Sequence, residues 1–436
     1  MYLYYLRLAR RNVLKTRGMS AALVLALALG VGASMAMITV VRVMTWDPLP
    51  GRNEHLFHPY LDPLPVSYQT KPSLDPRIAL TWTDAQELLR RGPAKAQVAL
   101  ASGHLLVNPQ QGVAAPFFVD GQYATPNLFS MFGLTVLEGR TWTEEEEQER
   151  ARVVVISESL RDRMAVASTL IGRQILLGGH AFRVIGTVAN WTPRPRFHTD
   201  LQRDAFKGQD DFFIPLRTAI DLRLKIGNDM FSWASTASAN KMEDSRTAWL
   251  QFWIQAQTPQ ERDDYLRFLE HYVQEQLRSG RFERHHHPRL QRLHDFLVER
   301  KIIPDEIKLQ LGLSIAFLFV CLINICALLF SRFIRRTHEV AVRRALGARR
   351  RDIVIQLYTE ALVIGAFGGL IGLLIANAGL YLIRLQPEDY ANLAVMDWPM
   401  VALTMLLACA ASLVAATLPA LRAASTRIVM QVKAAE

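Results

Sequence analysis

The chain has 436 residues, of which 50% are hydrophobic and 21% are charged, and its formal net charge is +10. This composition excludes an intrinsically disordered chain, which would lack the apolar surface that offsets the entropy of ordering. A transporter embedded throughout in the membrane would carry fewer charges, so we expect a protein that is partly in a membrane and partly in water. The length leaves room for about two or three domains.

The basic residues are concentrated in three short stretches. Residues 1–18 carry a net charge of +5, residues 332–352 carry +6 and residues 422–436 carry +2, which leaves −3 for the rest of the chain. Each of these stretches adjoins an apolar run. Basic stretches beside apolar runs are typical of membrane topology, and no nucleic-acid partner is predicted.

Four apolar runs are predicted to span a membrane. The first, 19–44, is apolar nearly throughout as far as Arg42, which is long enough to cross a hydrocarbon core of about 30 Å. A cleaved signal peptide is the competing interpretation, but its apolar region is typically only about 7–15 residues long, so we predict an anchor. The other predicted spans are 309–331, 353–384 and 399–421.

The positive-inside rule orients all four spans consistently. It places the N-terminal segment 1–18, which we expect to be amphipathic, the loop 332–352 and the tail 422–436 in the cytoplasm. It places 45–308 and the short turn 385–398 on the outer side. The outer segment is far too long for a loop and long enough for a core of its own.

The outer segment is predicted to contain two α+β subdomains. The first combines a helix opened by a capping box at 83–86, strands over 96–107 and 249–256, and a helix that begins at Pro259. The second lies between them and consists of strands at 117–119 and 153–156, short helices at 127–132 and 158–164, and a hairpin over 174–188 that turns at Gly178-Gly179.

Two parts of the outer segment carry weaker signals. Residues 194–247 are polar and irregular and receive no assignment, whereas 289–308 is charged, contains leucines and is predicted to form a helical stalk that leads into the second span. All three cysteines, Cys321, Cys326 and Cys409, lie in predicted spans. The outer segment is therefore expected to depend on packing rather than on disulfides.

The stretch 335–348, with the sequence RRTHEVAVRRALGA, closely resembles the cytoplasmic loop of the FtsX/MacB-type permeases of ABC transporters. One departure is Ala341, where many members have glycine, but alanine still allows close approach of helices. The resemblance covers most of the chain, with 194–247 as its gap. Two further segments, 9–12 and 47–50, are also similar to the family. The segments similar to the MacB-type periplasmic core are 132–134, 137–140, 155–158 and 171–172.

The resemblance implies that this loop docks in a groove on a cytoplasmic ATPase. From the residues alone, Glu339 and Arg343 form an i,i+4 pair in the favourable order, and Gly347 is a signal for a helix end. The alternative is that the arginines only hold the loop inside and contact anionic membrane lipid. The residues predicted to couple to the ATPase are Glu339, Val340, Val342, Arg343, Arg344, Ala345, Leu346, Gly347 and Ala348.

No catalytic centre is predicted in this chain. No stretch matches the phosphate-binding pattern G-x-x-x-x-G-K-[ST], so ATP and Mg²⁺ are expected to bind to a separate ATPase subunit, in contrast to MacB itself, where the ATPase is fused. The histidines at 285–287, with His294 nearby, lack cysteines at a diagnostic spacing. We therefore predict neither a metal site nor a cofactor in the chain.

Four glycines of the third span, Gly365, Gly368, Gly369 and Gly372, form two overlapping G-x-x-x-G pairs. Small residues at this spacing let membrane helices approach closely, so we predict a role in helix packing within the subunit or the dimer. Glu360 lies about one turn inside the predicted span. Snorkelling of its side chain to the membrane surface is expected, and no proton relay is assigned.

The predicted fold is thus a membrane protein with four transmembrane α-helices, one N-terminal and three C-terminal, and a large two-lobed α+β periplasmic domain. The resemblance implies a permease subunit in the bacterial inner membrane, with both termini cytoplasmic, that works by mechanotransmission and exports a peptide, an antibiotic or a similar substrate. The implied partners are an ABC ATPase, a second copy of this or a related permease, a periplasmic adaptor and a TolC-like outer-membrane channel. Two alternatives are release of lipoproteins from the membrane and an FtsX-like regulation of a cell-wall hydrolase.

Overall fold

The computed structural model describes the chain except for a set of short segments. These are residues 1–16, 46, 69–75, 110–114, 165–169, 200, 202–203, 234–240, 301, 303–304, 336–341, 343–348, 387–392 and 426–436. The chain divides into two compact units. One consists of Met1–Thr45 with Ile303–Glu436, and the other is Trp46–Ile302.

The elements are numbered here in chain order. The helices are α1 (Arg17–Met44), α2 (Trp82–Arg91), α3 (Leu128–Phe132), α4 (Glu144–Gln148), α5 (Glu158–Arg163), α6 (Leu216–Asp221), α7 (Pro259–Arg278), α8 (Leu293–Glu299), α9 (Asp305–Ile334), α10 (Arg350–Arg384) and α11 (Trp398–Ser425). The strands are β1 (Leu56–Tyr60), β2 (Leu80–Thr81), β3 (Ala96–Asn108), β4 (Phe117–Ala124), β5 (Val136–Gly139), β6 (Val153–Ser157), β7 (Gln174–Leu177), β8 (His180–Val188), β9 (Phe212–Pro215), β10 (Phe231–Ser232), β11 (Thr247–Gln255) and β12 (Arg289–Arg292).

The first unit contains the four membrane helices α1, α9, α10 and α11, each of which is long and apolar enough to span a bilayer. The buried residues of α1 include Leu23, Leu27, Val31 and Met35 at intervals of four, which places them on one stripe of the helix. This stripe packs against α9 and α10, and α10 also packs against α11. The prediction of one N-terminal and three C-terminal spans is confirmed.

The second unit is built on a mainly antiparallel sheet with the strand order β12-β1-β11-β3-β4-β9-β6-β8-β5. Strands β2 and β10 pair with β11, and β7 bridges β3 and β8. The pairs β4–β9 and β6–β8 are parallel. The strands of both predicted subdomains therefore join in one sheet, with helices packed beside it, and the predicted α+β class is confirmed.

Both faces of this sheet are covered. In β6, Val154 and Ile156 belong to one hydrophobic cluster, whereas Val153 and Val155 belong to another. Successive side chains of a strand point to opposite faces, so the two clusters are layers on either side of the sheet. A strand that is buried on both faces is apolar throughout, which explains the run VVVI in this segment.

The two connections between the units meet at one edge of the sheet. Strand β1, which follows α1 in the chain, pairs with β12, which precedes α9. The antiparallel ladder runs from Phe57 opposite Arg292 to Tyr60 opposite Arg289. The segment at 289–292, which was predicted to be part of a helical stalk, is therefore a strand, because its backbone completes the ladder on β1.

Several sequence predictions for this unit are confirmed. The hairpin of β7 and β8 turns at Gly178 and Gly179, both at positive φ, and the side chain of Thr258 caps α7 with Pro259 at its first position. The predicted capping box at 83–86 is wrong by two residues. The hydroxyl of Thr81 accepts the hydrogen bond from the Asp84 backbone nitrogen at 3.1 Å, so α2 begins at Trp82.

The unassigned stretch 194–247 contains a central element of the sheet. Strand β9 lies within it and pairs with both β4 and β6. The loop that precedes β9 is held by a buried cluster, in which Asp210 accepts hydrogen bonds from Arg196 at 2.7 Å and Gln122 at 2.8 Å and contacts His198 at 2.6 Å. Burial by itself raises the pKa of Asp210, but Arg196 and His198 outweigh it and hold the pKa below its ordinary value.

Candidate functional site

The predicted coupling residues at 339–348 lie outside the described residues, except for Val342, whose exposed fraction is 46%. The structure describes the two helices that this segment joins. Helix α9 ends at Ile334, and α10 begins after Arg349, whose backbone nitrogen donates a hydrogen bond to Asp352 at 3.1 Å. The candidate site is therefore the junction of α9 and α10 next to the predicted coupling segment.

A buried ion pair ties the two helices together at this junction. Arg332 lies in the last turn of α9 and Glu360 lies ten residues into α10, and their side-chain nitrogen and oxygen are 3.7 Å apart. The side chains are only 5% and 6% exposed. Among the described residues of the four spans, these two are the buried Asp, Glu, Lys, Arg or His side chains. Burial of a charge is tolerated when an opposite charge faces it, so the pair is a favourable contact between α9 and α10, which both pack mainly on α1 and α11.

The expectation that Glu360 snorkels to the membrane surface is wrong. Its side chain points into the helix cluster because Arg332 of the neighbouring span offers a cation there. Sequence reasoning missed the pair because Arg332 was counted with the basic loop. The sequence did contain a signal for the pair, because Glu360 lies inside one apolar run and Arg332 lies at the end of the preceding apolar run.

Helix α11 closes the same junction. A cavity of about 30 Å³, lined by Arg332 and Glu360 together with Leu329, Leu357, Ala416, Pro419 and Ala420, lies where α9, α10 and α11 meet. This volume matches one water molecule between polar and apolar walls. The guanidinium of Arg422 lies 5.6 Å from the ring centroid of Phe330, which ties α11 to α9 as well.

The four glycines of the two G-x-x-x-G pairs in α10 face two different helices. A Cβ atom at Gly365 or Gly369 would come within 3.2 Å of atoms of α11, and one at Gly368 would lie 2.7 Å from the side chain of Leu27 on α1. At Gly372 the nearest atom, a backbone oxygen of α1, would lie at 3.4 Å. The two G-x-x-x-G pairs thus lie at opposite contacts of α10 within a single chain.

The histidine-rich segment takes part in local structure. The Nε2 atom of His286 accepts a hydrogen bond from the Asp62 backbone nitrogen at 3.0 Å, and burial lowers the pKa of this imidazole. In the part of the chain that the structure describes, no three side chains of His, Cys, Asp or Glu are grouped in a way that could hold a metal ion.

A four-span helical unit, interrupted after its first span by a large α+β unit, defines the class of membrane permeases with an external core domain. The sequence matches two family models, the MacB-like periplasmic core domain over residues 20–263 and the FtsX-like permease C-terminal domain over residues 311–428. The first match alone covers more than half of the chain. The chain belongs to the MacB/FtsX-type family of ABC transporter permeases.

Curated relatives are about a quarter identical to this chain over the aligned residues. It is 24% identical over 76% of its length to the macrolide export ATP-binding/permease protein MacB of Sodalis glossinidius, and 26% identical over 57% of its length to the pyoverdine export ATP-binding/permease protein PvdT of Pseudomonas fluorescens. These matches cover 47% and 33% of the relatives, so the chain spans half of their length or less. An uncharacterized ABC transporter permease of Bacillus subtilis, YvrN, is 22% identical, with 68% of this chain and 66% of the relative covered.

Among solved structures, the periplasmic region of MacB from Actinobacillus actinomycetemcomitans is similar at 14% identity. The match covers 62% of this chain and 95% of that one, with a TM-score of 0.34.

Proposed function

We propose that this chain is the permease subunit of an ABC exporter that uses a separate ATPase and works by mechanotransmission. Closure of the ATPase displaces the coupling segment at 339–348, and the displacement passes to α9 and α10. The outer α+β unit, which follows α1 and precedes α9 in the chain, then moves substrate out of the periplasm. The substrate class is a peptide, an antibiotic or a similar compound, in line with the export functions named for the MacB and PvdT relatives.

The observation that carries this proposal is the Arg332–Glu360 pair. The coupling segment joins α9 to α10, and the pair holds these two helices together within a few turns of both ends of the segment. A push on the segment is therefore passed to both helices, which also share α1 and α11 as packing partners. Among the described residues of the spans, Arg332 and Glu360 are the buried charged side chains and they face each other, which favours transmission of movement over conduction of a charged substrate.

The remaining parts of the proposed assembly follow from charge and family. The basic stretches 1–18, 332–352 and 422–436 support a cytoplasmic location of both termini and of the coupling segment, in a chain of the inner membrane. Two copies of this or a related permease, an ATPase that binds ATP and Mg²⁺, a periplasmic adaptor and an outer-membrane channel complete the exporter. Membrane lipid surrounds the four spans.

The test is affinity purification of the full chain in detergent, with identification of the proteins that co-purify. We expect an ABC ATPase whose hydrolysis the permease stimulates. Ala345→Pro removes a backbone donor within the coupling segment and should abolish both the association and the stimulation, while the protein still inserts in the membrane. Arg278→Gln, on the exposed end of α7, serves as the control and should leave both unchanged.

The result also separates export from the alternatives. Full ATPase association and full transport in the Ala345→Pro variant would mean that the segment is only a topological anchor and would contradict the proposal. Co-purification of a cell-wall hydrolase, without an adaptor or a channel, would favour the regulatory function instead.

A further inference from the structure

The α+β unit contains a cleft that the proposed movement does not use. Its volume is about 840 Å³, which is the size of a small-molecule site in proteins. It lies among helix α2, the turn at 241–244, helix α6 and the residues that follow α4 and α6. The cleft is lined by Trp82, Arg150, Arg217, Ile220, Asp221, Arg223, Lys241, Met242, Glu243 and Asp244.

One guanidinium in this cleft is held in place by an amide oxygen and an aromatic ring. The Arg217 side chain donates a hydrogen bond to the amide oxygen of Gln86 and lies 5.5 Å from the ring centroid of Trp82. Its own backbone nitrogen donates to Glu147 at 2.9 Å. Among the described residues, no carboxylate lies within 4.0 Å of the guanidinium itself. A cation that is immobilised in this way loses little conformational entropy when it binds an anion.

Two further arginines occupy strained backbone positions at the same cleft. Arg150 has a φ of 56° and Arg223 a φ of 52°, and they are the non-glycine residues with positive φ in the described part of the chain. Each directly follows the C-cap of a short helix, a position where glycine is the least strained residue. Both helix ends have the hydrogen bonds of a Schellman motif, with Ala151 donating to Glu146 and Leu224 donating to Ala219, so the positive φ belongs to the helix ends and each end presents a guanidinium to the cleft.

The cleft carries an excess of positive charge. Arg150 is paired with Asp221 at 2.6 Å, and Asp244 is paired with Arg246 outside the lining at 3.4 Å. Within the described structure, this leaves Arg217, Arg223 and Lys241 without an ion pair, against the carboxylates of Glu243 and of the buried Glu147, which interacts with Arg217 and whose pKa burial raises to about 7. Cations that share a cleft repel one another, and a bound anion relieves the repulsion.

We propose that this cleft binds a small organic anion with a flat apolar body. The guanidinium groups of Arg217 and Arg223 take the anionic group, because guanidinium is suited to bidentate hydrogen bonds with carboxylate, sulfonate or phosphate oxygens. The apolar parts of Trp82, Ile220 and Met242 contact the body of the ligand. Binding here needs no ATPase, so it is independent of the proposed export.

The test uses 2-naphthalenesulfonate, with the neutral 2-naphthalenesulfonamide as its matched probe. Equilibrium dialysis is carried out on the full chain in lipid nanodiscs, and binding to empty nanodiscs is subtracted. We expect the anion to bind at one site per chain, and the sulfonamide to bind about tenfold more weakly, because it lacks the charge-assisted hydrogen bonds.

Two variants assign the binding to this cleft. Arg217→Gln should weaken binding of the anion about tenfold, with little change for the sulfonamide. Arg223→Gly should also weaken it and should at the same time raise the melting temperature, because glycine adopts the positive φ without strain. Loss of binding in a more stable protein cannot be the result of unfolding. Arg278→Gln, on an exposed turn of α7, is the control and should bind like the unmodified protein.

Equal binding of the anion and the sulfonamide would overturn the proposal. Anion binding that survives both Arg217→Gln and Arg223→Gly would place the site elsewhere and would also overturn it. If export is lost while anion binding in dialysis is unchanged, the exporter proposal fails and this site stands. If anion binding is lost while export is unchanged, this site fails and the exporter proposal stands.

Discussion

Removal of one partner of the Arg332–Glu360 pair should be costly, and removal of both should not. Glu360→Met leaves a cation in a site that is 5% exposed, without the carboxylate that faces it. Breaking a buried pair typically costs about 3–5 kcal/mol. The nitrogen–oxygen distance of 3.7 Å is longer than a hydrogen bond, so we expect the low end of this range, about 3 kcal/mol.

The double variant Arg332→Met/Glu360→Met should recover most of that loss. Methionine fills a similar volume and adapts to irregular gaps, and well-packed apolar replacements of buried ion pairs are often neutral or stabilising. The assay is unfolding of the purified chain by SDS in mixed micelles, with both single variants and the double variant. Arg351→Gln, an exposed charge at the start of α10, is the control and should change the stability by less than about 0.5 kcal/mol.

The double-mutant cycle gives a clear refutation. If the losses of Arg332→Met and Glu360→Met simply add up in the double variant, the two side chains do not interact, and the junction is not held by this pair. The account of how displacement passes to α9 and α10 would then lose its basis.

Three further predictions concern the helix contacts, the pH dependence and the topology. Gly368→Leu should lower the melting temperature by overpacking the contact with α1, at a cost of about 1–3 kcal/mol, whereas Gly312→Leu, at a site with open space around it, should not. Burial raises the pKa of Glu147 from 4.5 to about 7, so stability should fall by up to about 3 kcal/mol as pH rises from 4.5 through 7, and urea unfolding of the Glu147→Gln variant should show a flatter pH profile. A cysteine at Gly178 should react with an impermeant thiol reagent once the outer membrane is permeabilised, and one at Arg349 only after the inner membrane is opened.

Each of these has an outcome that contradicts it. Equal melting temperatures for the two glycine variants would mean that the α1–α10 contact tolerates a larger side chain. If the free energy of unfolding rises between pH 4.5 and 7 by the same amount in the unmodified protein and in the Glu147→Gln variant, another group dominates the pH dependence in this range. Equal labelling of both cysteines in cells with an intact inner membrane would refute the four-span orientation.

The features that the sequence predicted are those with local causes. The length of an apolar run sets a membrane span, and Thr258 followed by Pro259 marks the start of α7 without reference to the rest of the chain. Strand β9 was missed because it has only four residues and its identity depends on β4 and β6, which are distant in sequence. No local pattern distinguishes such a strand from a loop.

The same distinction applies to the sites. The resemblance located the coupling segment because its residues are contiguous. The Arg332–Glu360 pair depends on which faces of two helices meet, and the cleft combines residues from α2, from α6 and from the turn at 241–244. Neither arrangement can be inferred from spacing along the chain, because each arises only when separate segments pack together.

The β1–β12 ladder has a mechanical consequence. The chain enters β1 next to Phe57 and leaves β12 at Arg292, and these two residues face each other at the same end of a four-residue ladder. A force across the strands that pulls the two connections apart would therefore load the hydrogen bonds of the ladder one after another, from this end. An equal pull on both connections leaves the ladder unloaded and shifts the sheet as a whole. The α+β unit is thus resistant to forces that its two attachments share and weak against forces that separate them.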